Sequence, residues 1–92
     1  MKKKIAIVAG GFSSEHDVSL RSAQGIYGAM DKYLFEPTII ELPKEHNKAL
    51  LAAQLHALQH YDFCFITIHG TPGENGLLQG YLQILGIPFN CC

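Results

Sequence analysis

The chain has 92 residues, 48% of them hydrophobic and 16% charged, with a formal net charge of −1. That is enough for one small packed domain and too apolar for a disordered one, and the charge removes the electrostatic case for a nucleic-acid partner. No apolar run approaches the ~20 residues that span a bilayer or the roughly 7–15 of a secretory leader, so we expect a cytoplasmic protein that engages no membrane.

Lys2-Lys3-Lys4 leads into Ile5–Ala9, a continuous apolar run closed by Gly10-Gly11; such a run predicts a strand buried on both faces. Ser14-Glu15-His16-Asp17 fits the Ser-x-x-acid capping pattern. It predicts a helix from about Asp17 to Lys32, with Val18, Ile26, Ala29, Met30 and Tyr33 inward and with Gly25 and Gly28 allowing close approach to the sheet. Phe35–Leu42 is a second strand, placed at an edge because Pro37 has no amide to donate. Lys44–Gln59 is a second helix with Leu51, Leu55 and Leu58 inward. Phe63–Ile68 is a third strand, in which Cys64 is an inert buried thiol. A glycine-rich loop spans Gly70–Gly76, a short helix spans Leu77–Leu85 and stops at Gly86, and Ile87-Pro88-Phe89 begins a fourth strand.

Strands alternating with helices imply parallel pairing and right-handed crossovers. The expected fold class is therefore α/β, a three-layer, mostly parallel Rossmann-like sheet with strand order 2-1-3-4. The fourth strand begins with little chain left to complete its layer, so residues 1–92 are expected to form a truncated domain.

In open α/β sheets ligands bind beyond the carboxyl ends of the strands, where the Gly10–Ser14 turn and the loop after the third strand fall. The turn lacks both the G-x-G-x-x-G fingerprint and a P-loop lysine, and Glu15 at a helix N-terminus would repel a phosphate. Its carboxylate suits a ligand ammonium, or else simply complements the helix dipole. His69 closes the third strand, either as a structural hydrogen bonder or as a group facing the same crevice. Glu74 is a solvated loop acid or a partner holding His69. His56 and His60 share i, i+4 spacing but lack the carboxylate of a metalloprotease helix; a solvated helix flank fits them better. The three cysteines show neither disulfide nor zinc-ligand spacing.

Two segments are more specific. Ile5–Ser22, IAIVAGGFSSEHDVSLRS, and Phe65–Asn90, FITIHGTPGENGLLQGYLQILGIPFN, resemble the two opening signatures of D-alanine–D-alanine ligases: strand, Gly-Gly, Ser, Glu-x-x-Val-Ser-Leu; then His-Gly, Gly-Glu-x-Gly, Leu-Gln-Gly and Leu-Gly-Ile-Pro. The resemblance implies a pre-ATP-grasp domain of a three-domain, cytoplasmic, homodimeric ligase of peptidoglycan synthesis. Such an enzyme uses ATP with Mg2+ or Mn2+ to make an acyl phosphate of one D-alanine, which the amine of a second D-alanine then attacks. It further implies that Glu15 meets the ammonium of the first D-alanine, that His69 lies by its carboxylate, and that Val18 and Glu74 line and support the subsite. His16 stands where Arg or Lys is common in that family, and Thr71-Pro72 and Asn75 also depart from its pattern. The resemblance leaves open D-serine or D-lactate as second substrate, and a non-catalytic α/β binding module remains an alternative. The ATP- and metal-binding residues are expected outside these 92, so the chain alone should be inactive.

Overall fold

The computed structural model describes residues 2–11, 14–45, 47–68 and 77–91. The first apolar run forms strand β1 (Lys3–Gly10), which pairs in parallel with β2 (Phe35–Leu42) on one side and β3 (Phe63–Ile66) on the other; β4 (Phe89–Cys91) adds beside β3. The order is 2-1-3-4, as expected, with the proline-bearing β2 at an edge. Ile7 of β1 aligns with both Ile39 and Phe65.

Alternation along β1 divides the core. Ala6 and Val8 face a cluster completed by Leu42, Cys64, Ile66, Leu78 and Leu82, under helices α2 (Lys48–Ala57) and α3 (Leu77–Leu85). Ile5, Ile7 and Ala9 face the opposite layer, against Ala23, Leu20 and Ile26 of helix α1 (His16–Ala29). Leu58 is buried in a 3-10 turn after α2, with Leu51 and Leu55 packed beside it, as the leucine spacing predicts. Burial raises the Cys64 thiol to about 11, which keeps it protonated and unreactive.

The helix boundaries differ from expectation for local reasons. α1 ends at Ala29 rather than Lys32, because the Asp31 carboxylate accepts from the Tyr33 amide and its carbonyl accepts from Phe35, forming a turn. The Lys32 ammonium then satisfies the carbonyls of Tyr27 and Met30. α2 begins at Lys48 rather than Lys44, where extended Asn47 accepts from the Leu50 amide as its N-cap. β3 stops at Ile66, two residues short of expectation, although the Thr67 amide still donates to Val8. Gly25 and Gly28 do not bring α1 close to the sheet: a Cβ at either would meet nothing within 4 Å.

Candidate functional site

At the carboxyl end of β1 the chain turns through Gly10 and Gly11, with φ of 86° and 92°. Both lie in the left-handed region that L side chains disfavour. Gly10 has a further constraint, because a Cβ there would stand 2.6 Å from the Leu42 carbonyl oxygen and 2.7 Å from Cε1 of His16. The turn is pinned from two directions.

The first pin is His16, which is 4% exposed. Its Nδ1 lies 2.7 Å from the Gly11 carbonyl oxygen and its Nε2 lies 2.8 Å from Oε2 of Glu41, near the end of β2. The hydrogen bond to Gly11, then the bond to Glu41, hold the imidazole above its ordinary pKa, and the charges of Glu41 and Asp17 add to them against the cost of burial. The second pin is a buried hydroxyl chain. The Gly10 amide donates to Ser19 Oγ at 3.0 Å, and Ser19 Oγ meets Thr67 Oγ1 at 3.2 Å. The Thr67 hydroxyl in turn reaches the carbonyls of Val8 and Ser19 at 3.1 and 3.2 Å. These contacts join β1, α1 and the segment leaving β3.

Glu15 is the N-cap of α1, with φ −86° and ψ 12°, and its carbonyl accepts from the Ser19 amide at 2.9 Å. Its side chain makes no capping hydrogen bond, and Ser14 is not the cap that the Ser-x-x-acid pattern predicts. Glu15 is exposed at this end of the sheet, and Val18, one turn further, is 41% exposed. Val18 was expected inward as well as at the subsite; the structure puts it outside the core. Tyr33, also expected inward, is 92% exposed. The residues that α1 buries fully are His16, Ser19 and Ala23, at helical spacing i, i+3 and i+7. Searching only for apolar periodicity passes over those polar residues, although that spacing was available. His69 and Glu74 lie outside the described residues. His56 and His60 are exposed, as the solvated-flank assignment expects, and His56 Nε2 contacts the Gln59 amide.

The described residues do not suit a nucleotide triphosphate or its metal. No group of three His, Cys, Asp or Glu side chains among them could hold an ion, and the turn is followed by an acid where a phosphate cradle places a lysine. Among the described residues, no helix is long and apolar enough to cross a membrane. An open apolar groove of about 610 Å³ runs between Met30, Phe35, Phe63 and Phe65, but at the amino ends of the strands, away from this turn.

The chain is 45% identical to a D-alanine–D-alanine ligase of Phocaeicola vulgatus, in an alignment covering all of this chain and 33% of that relative. A crystal structure of a D-alanine–D-alanine ligase from Bacillus anthracis complexed with ATP superimposes with a TM-score of 0.78 at 32% identity, over 97% of this chain and 28% of that one. The VanG D-Ala:D-Ser ligase of Enterococcus faecalis shares the fold, with a TM-score of 0.75 at 24% identity, over 97% of this chain and 35% of that one. The chain thus spans about a third of the length of the curated relatives it matches. The family model for the N-terminus of D-ala D-ala ligases matches residues 4–57 and 43–92, between them nearly the whole sequence, and the chain belongs to that family.

Proposed function

We propose that residues 1–92 are the N-terminal domain of a D-alanine–D-alanine ligase of peptidoglycan synthesis, and that this domain holds the first D-alanine. The observation that carries the proposal is the doubly pinned turn at the carboxyl end of β1, which sets the exposed Glu15 at the mouth of the sheet. A carboxylate on a rigid support can meet a substrate ammonium without paying to order itself, and a charge-assisted hydrogen bond of this kind is strong once desolvated. Val18, exposed beside Glu15, offers the apolar wall that the α-carbon and methyl group of D-alanine require. His69 and Glu74 complete the subsite from the loop after β3, His69 toward the substrate carboxylate and Glu74 in support of it.

ATP and its Mg2+ or Mn2+ belong to the remainder of the full-length enzyme, which we take to be cytoplasmic and homodimeric. The 92 residues by themselves are accordingly inactive. The test is Glu15→Gln in the full-length protein, which keeps the shape and removes the charge. Loss of about 1.5–3 kcal/mol lowers kcat/KM by roughly tenfold or more, with the first D-alanine most affected. Unchanged kinetics would return Glu15 to a helix-terminus role.

A further inference from the structure

We propose that His16 is a positioning residue of the first D-alanine site: as an imidazolium it clamps the Gly11 carbonyl to Glu41, and so makes the grip of Glu15 on the substrate ammonium depend on pH. This inference rests on the assignment of Glu15 above.

The geometry requires both ring nitrogens to donate. One faces a backbone carbonyl at 2.7 Å and the other a carboxylate at 2.8 Å, and neither partner has a proton to give. A neutral imidazole carries a single N–H, so deprotonation breaks one of the two contacts. The ring is buried against Gly10, where no side chain fits between them. His16 directly follows Glu15, so the first helical turn that carries the carboxylate is tied down by the ring on one side and by the Ser19–Gly10 hydrogen bond on the other. Loss of the imidazolium severs the Gly11–Glu41 link and so weakens the first tie, while the second is untouched.

Among the described residues, the charged groups acting on the ring are Glu41 from β2 and Asp17 from α1 itself, both of which favour the cation. β1 presents, among these residues, the backbone of Gly10 to the ring and the turn that of Gly11. The amino end of α1 opposes the positive charge. An Arg or Lys side chain here would hold a permanent cation; histidine makes the tie titratable.

The test combines two measurements. In the full-length protein, KM for the first D-alanine is followed against pH for the unaltered enzyme, His16→Arg and Glu41→Gln; the titration of the substrate amine is common to all three. Expected is a several-fold rise in KM, larger than the change in kcat, as pH rises through the His16 titration above about 6.5. His16→Arg flattens that component and Glu41→Gln moves it to lower pH. In the 92-residue chain, proton–carbon NMR of the His16 ring, assigned by its loss in His16→Arg, should titrate above the ordinary histidine value and fall in Glu41→Gln. Superimposable KM profiles for the unaltered enzyme and His16→Arg would overturn the proposal, as would a ring that titrates at or below the ordinary value or ignores Glu41→Gln. Glu15→Gln, run alongside, separates the two assignments. If it weakens the first D-alanine while the profiles superimpose, only the clamp fails; if it changes nothing, the Glu15 assignment fails and the proposed link with it, whatever His16 does.

Discussion

Helices α1 and α2 cover opposite faces of one sheet by different means. α1 buries His16, Ser19 and Ala23, and two of those three are polar groups bonded to particular atoms of the β1 turn. α2 buries none of its ten residues fully. It is held by half-buried leucines, by the Gln54 amide donating to the Glu41 carbonyl at 2.7 Å, and by the Tyr81 hydroxyl donating to the Leu55 carbonyl at 3.0 Å. The α2 hydrogen bonds are exposed or part-buried and those of α1 to the β1 turn are buried, and a hydrogen bond in a dry interior fixes its partners more firmly. The helix that carries the candidate site is the one located by polar contacts.

The largest effect that would test this contrast is Gly10→Ala. It combines a left-handed backbone with a methyl group inside the contact distance of Leu42 and His16. A destabilisation of roughly 2–4 kcal/mol is expected in urea unfolding. Ser19→Ala should follow, at about 1–3 kcal/mol, because it strands the buried Gly10 amide. A cost no larger than that of an α2 surface change would mean that the hydroxyl chain does not locate α1.

The third effect is a pH dependence. The folded-state pKa of His16 is raised, so its stabilising contribution is complete below the ordinary histidine value and is lost as pH rises through the folded value. Unfolding free energy should fall across that window, and His16→Gln should remove that component of the slope. A slope unaltered by the substitution would assign it to other groups. The smallest effect belongs to α2: Asn47→Ala removes the side-chain cap of the Leu50 amide and should cost about 1 kcal/mol. Thermal unfolding of the four variants side by side would rank them, and a cap worth more than Ser19 would invert the comparison.

Much of this arrangement was legible before any coordinates. Continuous apolar runs marked β1 and β3 as buried strands, Pro37 put β2 at an edge, and α3 ends as expected before Gly86, where φ is 72°. These are local signals, with the period of the pattern and the chemistry of the breaker on one short stretch. Glu15 and Val18 are singled out by a motif alone, and both are exposed at the start of α1, after the carboxyl end of β1. The inward face of α1 was legible at Ile26 and at its C-cap Met30, which pack on the core. It was not legible at His16 and Ser19, because polar residues inside a core carry no hydropathy signal and these two are buried against partners across the fold.

The sequence by itself therefore determined the order and type of elements, the parallel sheet and the family, since each depends on neighbours along the chain or on motifs within it. Only the tertiary structure decided the register of α1, the partnership of His16 with Glu41, 25 residues away, and that of Ser19 with Thr67, 48 residues away. A buried hydrogen bond is specified by two groups meeting at about 3 Å in a dry interior, and nothing within either segment states where the other will be.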